Sequence, residues 1–163
     1  MAAIISTVLM ACKQNETPVS AAIHVKLTDA PGNYTAVNID LEQVQVKPAN
    51  GTWLDITTNA GSYDLIQLTN GVDTLIVADS LPSGIQIQQI RLVLGSNNTV
   101  VVDSITYPLE VPSGEQTGLK LNLNRLMIQD SLNTVLLDFD AEKSIVATGN
   151  GKYLLKPVIK VVD

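Results

Sequence analysis

Asp138 and Asp140 stand two positions apart in the run from Val135 to Asp140. In an extended strand alternate side chains share a face, so Val135, Leu137 and Phe139 point one way and the two carboxylates the other. Like charges on one face repel unless something compensates them. A hard cation such as Ca²⁺ would do so, because it gathers several oxygen ligands. Asp29, in the string Thr28-Asp29-Ala30-Pro31, could supply a further oxygen. Asp29, Asp138 and Asp140 are therefore the candidate metal set, although no EF-hand spacing accompanies them. Pairing with Lys143, Lys152 or Lys156, or plain solvation, compensates the same charges and is the favoured reading. No cofactor is expected on that reading. A glycosidase-type acid/base pair is the third use of these carboxylates, and it needs two groups flanking a sugar in a cleft. Aromatic residues make up only 4% of the chain and leave little for a sugar platform. The expectation is a protein that is not an enzyme.

Trp53, Tyr34 and Tyr107 are the candidate ligand-binding residues, with Tyr63 and Tyr153 the remaining phenols. Exposed indole and phenol rings stack on sugars or anchor protein interfaces. Trp53 follows the turn Asn50-Gly51-Thr52, near a loop where binding residues collect, and a plug in the core is the equal alternative. Ser113, in Pro112-Ser113-Gly114, lacks the Gly-x-Ser-x-Gly elbow of a nucleophile and reads as a turn. His24 lies on the polar phase of its strand and reads as solvated or hydrogen-bonded. Ser80, Ser104 and Ser131 each follow an Asp and precede an apolar residue. That pattern resembles a bacterial O-glycosylation motif, while Asp-Ser is also common turn chemistry.

Cys12 and His24 are the single cysteine and the single histidine. An internal disulfide is therefore excluded, and zinc, which draws on several such ligands, is not expected. A net charge of −6 disfavours a nucleic-acid surface, which presents a basic patch. The chain from Met1 to Ala11 is apolar or small and uncharged, and it ends Leu9-Met10-Ala11-Cys12. This resembles the bacterial lipobox, in which a Leu and small residues precede a cysteine that is diacylated after the leader is cut. The run is too short to span a bilayer, which takes about 20 apolar residues. No Lys or Arg precedes Cys12, where an export leader ordinarily opens on one. Lys13-Gln14-Asn15-Glu16-Thr17-Pro18 then reads as a polar tether. The expectations are a membrane partner through a lipid on Cys12 and a place at the cell envelope. Lys13 is not the Asp that holds many lipoproteins at the inner membrane, so outer-membrane placement is the expectation.

The elements that must position these residues read as strands. Ile23, Val25 and Leu27 alternate with His24, Lys26 and Thr28. Val37, Ile39 and Leu41 alternate in one phase and Val44 and Val46 in the other, as a β-bulge near Glu42-Gln43 would give. Asn50-Gly51 and Asn70-Gly71 are turn signals. Tyr63 to Leu68, Val135 to Asp140 and Tyr153 to Val162 read as single strands, and Leu119, Leu121 and Leu123 alternate cleanly. Pro108 marks an edge or a bend. Ala141 to Ala147 could hold one helical turn. Short strands with regular turns point to an all-β antiparallel sandwich or barrel.

The strings Val25-Lys26-Leu27-Thr28-Asp29-Ala30-Pro31, Tyr63-Asp64-Leu65-Ile66-Gln67-Leu68-Thr69-Asn70-Gly71, Gln89-Ile90-Arg91-Leu92, Asp138-Phe139-Asp140-Ala141-Glu142-Lys143-Ser144 and Tyr153-Leu154-Leu155-Lys156-Pro157 occur in that order. Leu81-Pro82-Ser83-Gly84 and Pro112-Ser113-Gly114 before Gly118-Leu119-Lys120-Leu121 complete the set. Together they resemble domain-of-unknown-function family 4382, found in exported proteins that are often lipoproteins. The resemblance implies a β-sandwich similar to prealbumin-like or carbohydrate-binding-like modules, and it carries no catalytic residues. The chain divides into a leader at 1–11, a lipidated Cys and tether at 12–21, and a β-sandwich at 22–163. The expected work is binding or scaffolding with a protein or glycan ligand, the alternatives being a carbohydrate-binding accessory module and, further off, a carboxylate hydrolase.

Overall fold

Alternating β-branched residues make the first long strand, β1 (Ser20–Asp29), whose Ala21, Ile23, Val25, Leu27 and Asp29 are all buried. The computed structural model describes residues 19–112 and 118–162. The remaining strands are β2 (Ala36–Pro48), β3 (Leu54–Ile56), β4 (Gly61–Asp64), β5 (Thr74–Pro82) and β6 (Gln86–Leu94). They continue through β7 (Thr99–Val102), β8 (Ile105–Glu110), β9 (Leu119–Leu126) and β10 (Leu132–Phe139). One helical turn, α1 (Ala141–Ser144), precedes β11 (Ile145–Gly149), β12 (Lys152–Leu155) and β13 (Ile159–Val162).

Two sheets result. The smaller runs β13-β10-β1-β5, and the larger runs β11-β12-β8-β7-β2-β6-β9, with β3 and β4 added on β2. The inner faces meet in one core. Ile23, Leu27, Leu137 and Phe139 come from the smaller sheet, and Ile39, Leu41, Ile90 and Leu92 from the larger. Each such side chain contributes about 1.5–3 kcal/mol by leaving water. The fold is all-β and sandwich-like, as the alternation implies.

The expected bulge is present, since the β2–β6 register slips between Leu41 and Gln43. It lets one strand pair with β6 along its second half and with β7 along its first. Asn98 fills the break. It is 2% exposed, accepts from the Asp40 amide at 2.8 Å and donates to the Gly95 carbonyl at 2.7 Å. Burial of a polar side chain is tolerable here because its groups are paired.

Three expectations change. The sheets are mixed rather than purely antiparallel, because β1–β10 and β8–β12 are parallel. Parallel neighbours need a long connection, and the chain between β1 and β10 supplies one by building β5 and most of the larger sheet. Tyr63 to Leu68 is not one strand: β4 ends at Asp64 and a 3-10 turn (Leu65–Leu68) follows. The Asp64 side chain accepts from the Ile66 amide at 3.2 Å, which caps the turn and buries Leu65 and Leu68. Tyr153 to Val162 is also divided, into β12 in the larger sheet and β13 in the smaller. Pro157 lies at the crossing, where its missing N–H breaks no ladder. Pro108 sits mid-strand in β8, opposite Thr99 and just before β8 meets β12. The expected single helical turn is α1.

Candidate functional site

The parallel pairing of β1 with β10 sets Asp29 opposite Phe139 and Thr28 opposite Asp138. Asp29 closes the buried phase of β1 and is 4% exposed. Its Oδ1 accepts from the Ala141 amide at 2.9 Å, and its Oδ2 has no hydrogen-bond partner within the described chain. Burial pushes this carboxyl up to about 7. The Ala141 amide opposes that push, and the Asp140 and Asp138 charges add to it. A carboxylic acid is thus half protonated near neutral pH because water is kept from it.

Asp138 lies on the opposite phase of β10, as the alternation predicts, and Asp140 follows one residue past the strand's end. With Lys143, Val158, Ile159 and Lys160 they line a small pocket of about 150 Å³. Lys160 stands directly across the β10–β13 ladder from Asp138, and its Nζ is 2.9 Å from Asp138 Oδ2. Asp138 Oδ1 is buried and has no hydrogen-bond partner within the described chain. Asp140 caps α1: its Oδ1 accepts from the Lys143 amide at 3.0 Å, and its Oδ2 meets Lys143 Nζ at 2.5 Å. The Lys143 hydrogen bond holds the Asp140 carboxyl below the usual carboxylate range. Lys143 was among the lysines expected from sequence, and Lys160 was not. Two of the three candidate ligands therefore share a pocket, and Asp29 turns towards the core. Among the described residues no three His, Cys, Asp or Glu side chains gather into a metal-sized cluster.

The aromatic candidates divide into two groups. Trp53 is half-buried, and the Arg91 guanidinium carbon lies 4.3 Å from its ring centroid. Arg91 Nε donates to Gln45 Oε1 at 2.7 Å, and Gln45 Nε2 donates to Asp55 Oδ1 at 2.5 Å. Asp55, Gln45, Arg91 and Lys120 are successive cross-strand partners on β3, β2, β6 and β9. Trp53 thus caps a polar row on the outer face of the larger sheet and does not plug the core. Tyr107 packs on Tyr153 with ring centroids 5.1 Å apart. Tyr34 is half-buried, and burial first, then Tyr153 and Glu142, raise its phenol above the usual range. Tyr34 and Tyr107 therefore share Tyr153 as a neighbour.

Ser80, Ser104 and Ser131 are all exposed. Asp103 and Ser104 have φ of 49° and 64°, the left-handed pair of a tight hairpin turn between β7 and β8. Turn chemistry therefore accounts for that Asp-Ser pair. Cys12 and Ser113 lie outside the described residues. A depression of about 500 Å³, lined by Glu42, Leu94, Gly95, Leu109 and Glu110 among others, was not foreseen. Its sequence signal is the phase slip at Glu42 together with the turn that opens at Gly95. A Cβ on Gly95 would meet the Asp40 carboxylate first and Glu42 Oε1 at 2.7 Å, so a larger residue there would have to displace both carboxylates.

Fold and site define an all-β sandwich-like domain with a carboxylate–lysine cluster at one end and a Trp-capped polar row on one face. Residues 20–157 match the family described as Domain of unknown function (DUF4382). The chain belongs to that family. No curated protein and no solved structure matches it significantly.

Proposed function

We propose that this chain is a non-enzymatic binding or scaffolding domain held at the cell envelope by a lipid on Cys12. The observation that supports it is the engagement of each carboxylate in the Asp29/Asp138/Asp140 set. Lys160 holds one oxygen of Asp138, the ammonium and amide of Lys143 hold Asp140, and the Ala141 amide holds one oxygen of the buried Asp29. General acid/base work needs a pair with proton access to substrate, whereas Asp29 is closed from solvent and Asp138 and Asp140 are each ion-paired to a lysine. The lipid anchor rests on Leu9-Met10-Ala11-Cys12 before a polar tether.

A carbohydrate-binding role is the second reading, and the row Asp55-Gln45-Arg91 beside Trp53 favours it. Planar polar groups that hydrogen-bond hydroxyls, next to an indole, are the chemistry of sugar recognition. The test is a glycan panel read both by Trp53 fluorescence and by product release. No turnover is expected. Turnover removed by Asp140→Asn or by Glu42→Gln overturns the non-enzymatic reading. A fluorescence change that Gln45→Ala abolishes moves the glycan role to first place.

A further inference from the structure

Leu126, Ile128 and Leu132 are 50%, 57% and 53% exposed, and all three line one open depression at the β9–β10 connection. Large aliphatic side chains gathered this way mark a surface that something covers. Val19, 48% exposed, stands at the same end. Its carbonyl accepts from the Ser83 amide at 2.9 Å, and the next amide, Gly84, donates to the Met127 carbonyl at 2.8 Å. Leu132 is the cross-strand partner of Ala22, early in β1. The apolar patch therefore surrounds the point where the N-terminal segment joins the fold.

We infer that Val19, Leu126, Ile128 and Leu132 seat this end of the sandwich in the interface of a lipid bilayer. The inference rests on the lipid anchor proposed above. Cys12 stands seven positions before Val19, so an acyl group there lies within roughly 25 Å of Val19 even when the tether is fully extended. The 13-residue β2 alone runs roughly 43 Å. A tether shorter than the domain keeps the Val19 end towards the membrane. The occupant reached by that short tether is the bilayer surface itself. The opposite end of β1 carries Val72, 51% exposed, where Thr28 Oγ1 donates to the Val72 carbonyl at 2.7 Å. Val72 stays in water on this arrangement.

The experiment uses the full chain, processed in an exporting bacterial host and reconstituted into phosphatidylethanolamine/phosphatidylglycerol vesicles with brominated acyl chains. Leu132→Trp, Ile128→Trp and Val72→Trp are each placed in a Trp53→Phe background. Leu132→Trp and Ile128→Trp are expected to lose at least half their emission in brominated vesicles, and Val72→Trp almost none. Detergent partition reads the anchor separately. A protein that stays in the aqueous phase overturns the anchor and the seat with it. An anchored protein whose Leu132→Trp and Ile128→Trp emissions are unquenched overturns the seat alone. A blue-shifted but unquenched emission assigns the patch to a protein partner or a second copy, and equally overturns the seat.

Discussion

Asp29 Oδ1 accepts a hydrogen bond from the Ala141 amide at 2.9 Å across 112 positions of sequence. That bond ties the end of β1 to the first turn of α1 while the other carboxylate oxygen stays unpartnered. Around it, the Ala30 amide donates to the Phe139 carbonyl and Asn33 Nδ2 donates to Glu142 Oε1, so the loop after β1 is docked on α1. A buried acid at such a joint makes the fold sensitive to pH.

Asp29 ionises at about 7 in the fold against 3.8 when unfolded, so between those values the folded state binds more protons. Its contribution is complete below pH 3.8 and is lost as pH rises through 7. The loss through this one group is on the order of 2–4 kcal/mol. Asp29→Asn keeps an oxygen for the Ala141 amide and removes the charge. Urea titrations of the variant should show wild-type stability near pH 4 and a gain over wild type at pH 8. A variant no more stable than wild type at pH 8 would show that Asp29 is ordinary in its ionisation.

If Lys160 and Lys143 alone compensate Asp138 and Asp140, chelation has nothing to remove. EDTA is expected to leave the melting temperature unchanged, and added Ca²⁺ likewise, since a ligand held only by the folded state would raise it. A shift of several degrees that Asp138→Asn abolishes would place a metal in the pocket. Asp140→Ala should cost about 1 kcal/mol by removing the cap of α1. The Asp140 carboxyl lies below its usual range, so its contribution is present above the unfolded value and fades as pH falls through the folded one.

Leu121 and Ile90 are cross-strand partners, yet Ile90 is wholly buried and Leu121 only half-buried. Ile90→Asp should abolish folding, because it strands a charge in the core. Leu121→Asp should lower the melting temperature strongly without abolishing the transition, since its carboxylate can reach water. Far-UV spectra and thermal melts of both variants check the order. A Leu121→Asp protein that melts like wild type would contradict the inward phase of β9.

Much of the strand map was legible because alternation is a local property. The slip between Leu41 and Val44 announced the bulge, and the Asn70-Gly71 turn, with φ of 59° and 83°, announced its own geometry. Each required no knowledge of a partner strand. The sequence also placed Asp138 and Asp140 on one face by their spacing alone. It misread Tyr63 to Leu68 because the capping contact of Asp64 with Ile66 competes with extension in a way that apolar spacing does not display.

What tertiary structure decided was partnership. Alternation says which face of its own strand a side chain occupies and nothing about which strand comes alongside. Lys160, not Lys152 or Lys156, faces Asp138 because the chain leaves the larger sheet after Leu155 and returns to the smaller one beside β10. Asp29 follows the inward phase of β1, but its raised ionisation required β10 and α1 to close over it from 112 positions away. Trp53 came to rest on Arg91 because β3 and β6 flank β2 on either side. Those pairings follow from burying two whole apolar faces against each other, an energy that belongs to the assembled sandwich and to no single stretch of its sequence.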